Sequence, residues 1–307
     1  MRGLNIAHEA VLRDTVERLS DGNNLTNVCP SQWRGEPLPS QQAVKEIITL
    51  SRALIFPGFF GDSDVTRENV LYFIGLWTEK LFNLLTGQIH AGLSMDICTE
   101  EPPQFAAMEA RSAGLALKFI GRLPELRRLL NADVKATYHG DPAALSTQEV
   151  IYCYPGIRAI CNYRIAHELV ELGVPILPRM ISEQAHAETG IDIHPSATIG
   201  ESFTIDHGTG IVIGATAIIG DNVKIYQGVT LGAKSFSLDE DGNPVKGVAR
   251  HPIIGNNVII YSNASILGRI TIGDNAVIGG NIWVDTDVAP GERLIQAKAN
   301  NVLRLKQ

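Results

Sequence analysis

The chain has 307 residues, 45% hydrophobic and 19% charged, which supplies apolar material for one or two cores and excludes disorder as its main theme. With 26 Lys+Arg against 33 Asp+Glu and a net charge of -7, it offers no global basic surface to nucleic acid or to an anionic membrane. No run of about 18 apolar residues occurs, and Cys29, Cys98, Cys153 and Cys161 show no CxxC spacing, so a cytoplasmic protein with reduced thiols is expected.

From Met1 to Ser20 the charges of Arg2, Glu9, Arg13, Asp14, Glu17 and Arg18 fall between apolar residues, which is helix patterning and not the apolar stretch of an export signal. Segment 20–40, rich in Asn, Gly, Pro and Ser, reads as a connection. Apolar spacing then predicts helices over 42–56, 67–89, 104–120, 123–138, 146–153, 157–172 and 178–188. Between Pro155 and Leu172, apolar Ile157, Ile160, Cys161, Ile165 and Leu169 share a face, Pro155 suits the opening turn, and Gly173 suits the close. An all-helical N-terminal domain over 1–189 is expected.

A different period follows. Aliphatic residues recur every sixth position at Ile193, Ile199, Ile205 and Ile211, at Ile213, Ile219, Ile225 and Leu231, and from Ile254 through Ile260, Ile266, Ile272 and Ile278 to Val284. Six fits neither the helical period of 3.6 nor the strand period of 2, but it fits short strands joined by turns, three to a triangular coil. Gly, Asp and Asn at Gly220-Asp221-Asn222 and Gly273-Asp274-Asn275 suit the corners, where tight turns demand positive φ. The fold class is therefore α + β, helices followed by a parallel β-helix of hexapeptide repeats over 190–292, with a loop at 233–252 and a tail at 293–307.

Chemistry is to be sought where the period fails. It slips by two residues at Asp206-His207-Gly208-Thr209-Gly210, and a polar loop separates Leu231 from Ile254, returning on Arg250-His251-Pro252. A long loop in a compact domain is either functional or a plain surface excursion. Asp192, in Asp192-Ile193-His194-Pro195, precedes His207 by nearly one coil, so the carboxylate could stand one rung away and form an Asp-His dyad, or merely cap a turn. Arg250 and His251 re-enter the wall beside His207 if one coil separates them.

These residues resemble the serine acetyltransferases of cysteine biosynthesis. The likeness runs from Asp141-Pro142-Ala143-Ala144 through Tyr163-Arg164-Ile165-Ala166-His167, Asp192-Ile193-His194-Pro195, Asp206-His207-Gly208-Thr209-Gly210 and Val229-Thr230-Leu231-Gly232 to Arg250-His251-Pro252, about residues 137–285. The resemblance implies a left-handed coil and acetyl transfer from acetyl-CoA, a co-substrate and not a bound cofactor, to the hydroxyl of L-serine. It places the base on His207, oriented by Asp192, with His251 as a donor to the oxyanion. It places the serine carboxylate on Arg250 and the ammonium on Asp141 and Asp206. Gly232, Ala233, Ser262 and Gly280 would line the acetyl-CoA groove between subunits of a homotrimer, which in some relatives pairs into a dimer of trimers, and Lys234 could meet a CoA phosphate. No metal is implied. Feedback inhibition by L-cysteine is a family property.

Four departures stand out: Leu145 where relatives carry a second acid, Ala215 where they carry Glu, a loop 235–249 longer than the usual Gly-rich form, and a tail ending Leu303-Arg304-Leu305-Lys306-Gln307 without isoleucine. The last speaks against a stable complex with O-acetylserine sulfhydrylase. Three other readings remain open: a hexapeptide acyltransferase with another acceptor, a γ-type carbonic anhydrase binding metal through His194, His207 and His251, and a non-catalytic scaffold. Asp141 has a plainer role too, as the N-cap of a helix opening at Pro142.

Overall fold

The six-residue period resolves into fourteen strands, numbered along the chain, wound as a triangular prism. Its first face stacks β1 (Asp192–Ile193), β4 (Val212–Ile213), β7 (Thr230–Gly232), β10 (Ser265–Leu267) and β13 (Trp283–Val284). The second stacks β2 (Thr198–Ile199), β5 (Ile218–Ile219), β8 (Ile253–Ile254) and β11 (Thr271–Ile272). The third stacks β3 (Thr204–Asp206), β6 (Lys224–Tyr226), β9 (Ile259–Ile260), β12 (Val277–Ile278) and β14 (Arg293–Leu294), so the coil runs two residues beyond the expected limit at 292. All of this is a computed structural model that describes residues 6–22, 38–62, 64–95, 105–236 and 238–297. The last residues of the tail, and with them the C-terminal sequence, lie outside the described residues, as do Cys29 and Cys98.

Every strand pair is parallel and in register, and the inward residues form the expected ladders: Ile193, Ile213, Leu231, Ile266 and Val284 on the first face, and Ile205, Ile225, Ile260 and Ile278 on the third. Each is buried, which stabilises by about 1.5–3 kcal/mol per side chain. The corners divide the labour differently from the expectation. In Gly-Asp-Asn it is the asparagine that takes the left-handed backbone, φ +56° at Asn222 and +60° at Asn275. Gly220 is needed for space, since a Cβ there would lie 2.5 Å from Asn256 Oδ1 of the next rung.

The helices are α1 (Ile6–Leu19), α2 (Gln41–Ile55), α3 (Val70–Met95), α4 (Phe105–Gly140), α5 (Thr147–Cys153), α6 (Pro155–Glu171) and α7 (Leu177–Thr189). Two expected helices, 104–120 and 123–138, are one: α4 continues through Pro124. Proline forfeits a single backbone bond there, and the burial of Phe119, Leu123, Leu126 and Leu130 along α4 outweighs that loss. Asp141 is not a helix N-cap. It follows α4, its Oδ1 accepting the Ala143 N–H at 2.8 Å, and α5 is capped by Ser146. Among the described residues no helix is long and apolar enough to cross a membrane.

The Tyr163-Arg164 pair fastens α6 to the first coil. Tyr163 donates its hydroxyl to Ala197 O at 2.7 Å, and Arg164 forms a bidentate pair with Asp133 of α4 at 2.6 and 2.8 Å. Asp133 also accepts the Phe203 N–H, and Arg164 donates to Gly200 O. Both charges are buried and fully bonded, so the pair fixes how the helices sit on the coil. Gly156 permits the approach: a Cβ there would stand 2.6 Å from Ile205 O.

Candidate active site

The slip in the period lengthens the first coil. Asp192 faces Val212, twenty residues on, whereas Val212 faces Thr230 after eighteen. The extra residues form the turn 207–211 at the edge where the third face meets the first. Here His207 has φ +58°, a left-handed backbone that costs a non-glycine residue on the order of 1 kcal/mol. Its side chain is 77% exposed, with Nε2 3.8 Å from Asp206 Oδ1.

Around His207 stand groups from both domains. Asp206 Oδ2 is 3.0 Å from Lys224 Nζ, which also donates to Gly140 O at the end of α4 at 2.7 Å. Asp141 accepts from the Tyr154 hydroxyl at 2.7 Å, and this bond, the Ala143 N–H and the nearby charges of Lys224 and His207 hold its carboxyl below the usual range. The same bond pushes the Tyr154 phenol up to about 12. Asp141, Asp206 and His207 are thus brought together as expected, with the helical domain supplying Asp141.

A second group lies where the first face meets the second, at the return of the long loop. His251 is 6% exposed, and its Nδ1 accepts the Thr216 backbone N–H at 3.1 Å, with the Thr216 hydroxyl 2.8 Å away. That hydroxyl already accepts the N–H groups of Arg250 and His251, so its own hydrogen goes to Nδ1 and the ring hydrogen belongs on Nε2. Burial, reinforced by Arg250, His194 and Arg269, takes the imidazole down to about 4, so it is a neutral donor at physiological pH. Arg269 holds the turn by donating to Thr216 O and His251 O. The Arg250 guanidinium lies 5.5 Å over the Phe236 ring, and its buried Nε has no partner.

Within one chain these two groups do not meet. His207 occupies one edge of the prism, and His251 with Arg250 another, because the loop leaves the first face and returns onto the second. The acetyl-CoA positions divide in the same way: Gly232, Ala233 and Lys234 lead onto the His251 edge, Ser262 and Gly280 onto the His207 edge. Lys234 pairs with Asp285 at 2.8 Å. A Cβ on Gly280 would approach Ser262 O to 3.0 Å, so the rung itself asks for glycine there.

Asp192 also sits differently from the expectation. It opens the coil that His207 closes, and it makes no hydrogen bond or ion pair with His207 among the described residues. Its carboxylate instead shares a 4.8 Å cluster with Glu183 and His186 of α7, where Glu183 also pairs with Arg179. His194 and His251 share one edge, and His207 stands on another. Leu145 is 84% exposed, and Ala215 precedes the Thr216 that carries His251. Sequence reasoning passed over Thr216, Tyr154 and Lys224. Thr216 had a signal in lying two residues after Gly214 in the turn that faces Arg250-His251, whereas Lys224 had none beyond an outward charge on a strand.

Residues 251–281 match the bacterial transferase hexapeptide family (six repeats). A plasmid serine acetyltransferase of Synechococcus elongatus is 49% identical over 264 residues, 85% of this chain and 83% of that protein. Serine acetyltransferase isoform 3 of Entamoeba histolytica, in a crystal structure with cysteine, superposes with a TM-score of 0.71 at 32% identity, covering 88% of this chain and 86% of that one. The serine acetyltransferase of Neisseria gonorrhoeae in complex with serine gives 0.53 at 28% identity, covering 83% and 97%.

Proposed function

This chain belongs to the serine acetyltransferases, and from that premise we propose that it transfers acetyl from acetyl-CoA to the hydroxyl of L-serine, giving O-acetyl-L-serine and CoA. A serine hydroxyl is a weak nucleophile at neutral pH and needs a base as it attacks. His207 takes that proton while the oxygen adds to the thioester carbonyl. The tetrahedral oxyanion receives a hydrogen bond from His251 Nε2. Collapse breaks the carbon–sulfur bond, and the proton on His207 passes to the departing CoA thiolate. Asp192, near the same edge as His207, is the carboxylate assigned to steady the imidazolium, and Asp206 stands closer at 3.8 Å.

The observation that carries this reading is a cation at one edge and carboxylates at the other. Arg250 offers a guanidinium with no carboxylate partner among the described residues beside a neutral His251 donor, while Asp141 and Asp206 flank His207. A substrate with a carboxylate, an ammonium and a hydroxyl between them fits that set. Because the halves lie on different edges, the working site forms where the His207 edge of one subunit meets the His251 edge of the next. Such head-to-tail contacts close into a ring, and we assign a homotrimer. Exposed Val212 and Trp283 on the first face and Ile218 on the second support self-association through the coil walls. Acetyl-CoA then lies in the groove between subunits, with Gly232 and Ala233 on one wall and Ser262 and Gly280 on the other. L-cysteine, which shares the carboxylate and ammonium of serine, would compete there, and the cytoplasm supplies both substrates.

CoA release is the test, with L-serine, D-serine, L-threonine, L-homoserine, an amino sugar and no acceptor in parallel. Release confined to L-serine is expected, and release with the amino sugar alone would replace the amino-acid clamp with another acceptor.

A further inference from the structure

Lys224 belongs to none of the motifs that mark the family, yet its side chain is only 17% exposed and sits among the groups around His207. Its ammonium lies 3.0 Å from Asp206 Oδ2, donates to Gly140 O at 2.7 Å and stands 4.8 Å from the centre of the Tyr226 ring. Tyr226 in turn stacks on Tyr261, ring centres 5.2 Å apart. Burial alone would lower the ammonium, but its contacts with Tyr226 and Asp206 outweigh that and hold it above the usual lysine range. It is a fixed positive charge, clamped between the end of α4 and the third face of the coil.

The charge count around His207 then has one definite sum. Asp206 on β3 and Asp141 after α4 are negative, Lys224 on β6 is positive, and Tyr154 is a neutral phenol. Glu149 of α5 acts on Tyr154 from further out, and Asp192 of β1, which stands beside Glu183 and His186, is the carboxylate assigned to the imidazolium and is counted with that ring, not with the acceptor pocket. With Lys224 present the pocket carries a net single negative charge, the complement of one ammonium. Without it two unpaired carboxylates would face the imidazole, and opposite charge at that range favours the protonated ring.

We propose that Lys224 is a positioning residue that neutralises Asp206, leaves Asp141 as the seat of a single substrate ammonium, and keeps His207 able to accept a proton. This rests on the serine acetyltransferase reading for its substrate, though not for its electrostatics. The lysine acts through Asp206 and need not touch serine.

The test follows the His207 imidazole by NMR titration in the full-length protein, its signal assigned by loss in His207→Ala, comparing wild type with Lys224→Met and Lys224→Arg. In Lys224→Met the midpoint should rise by about one pH unit, and Lys224→Arg should restore it. The acid limb of kcat/KM for L-serine should move up with it, since activity is lost as the base becomes protonated. About a tenfold loss is expected below the limb and little loss on the plateau. A role limited to fastening Gly140 would lower thermal stability and leave the midpoint where it was. An unmoved or lowered midpoint overturns the proposal. Wild-type protein inert toward serine would overturn the acetyltransferase reading, while the titration would still decide the role of Lys224.

Discussion

The two edges that share the chemistry are built in opposite ways. On one, His207 stands in a left-handed turn with 77% of its side chain exposed, and its surroundings are charges arranged in space: Asp206, Asp141 and Lys224, one of them brought by the helical domain. On the other, His251 is 6% exposed and locked by short bonds to one threonine, so that its tautomer and charge are set by the turn itself. A base must exchange its proton with substrate and profits from exposure and tunable charge. An oxyanion donor must stay neutral and still, and profits from burial. The difference in construction matches the difference in task.

That contrast can be broken at several points. Replacing His207 with alanine should lower kcat by about 10²–10⁴ while circular dichroism shows an intact fold, because the exposed ring packs against little. Thr216→Val removes the acceptor of two backbone N–H groups and a donor to His251 Nδ1. It should cost about 10–100-fold in kcat/KM, through loss of the bonds that hold the Arg250-His251 turn while the backbone N–H of residue 216 still fixes the tautomer, with a far smaller effect on the pH of the acid limb. A retained rate would mean that the Thr216 hydroxyl does not position His251.

The buried imidazole has a stability signature too. Its folded value of about 4 lies below the 6.5 of the free side chain, so the unfolded chain binds the proton more readily. Stability is unaffected by this group above about pH 6.5 and falls as the pH drops toward 4. The loss should be about 2–3 kcal/mol larger in wild type than in His251→Gln, measured by urea unfolding at both pH values.

The ladders from Ile193 to Val284 were legible in the sequence because a six-residue aliphatic period has few other physical solutions, and the structure repeats them residue by residue. The helices were legible from their apolar faces, except that 104–120 and 123–138 were read as two when packing along α4 carries a single helix through both, Pro124 included. The separation of His207 from His251 was harder to see. Counting by eighteens assigns each residue to a face, but the twenty-residue first coil and the loop at 233–252 both interrupt the count. Lys224 was illegible for a different reason. A lysine on the outward side of a strand is ordinarily solvated, and only the packing of α4 against the third face brings Gly140 onto it from the side opposite the neighbouring rung's Asp206.

The central claim is that the site is completed between subunits, and mixing two inactive variants tests it most directly. His207→Ala and His251→Ala are each expected to be nearly inert alone. Co-expressed in equal amounts and purified as mixed assemblies, they should regain about a third of the wild-type kcat, since every ring of three that contains both chains places an intact His207 edge against an intact His251 edge at about one interface in three. No recovery in assemblies shown to contain both chains would mean that His207 and His251 serve the same subunit, or that one of them takes no part in the reaction.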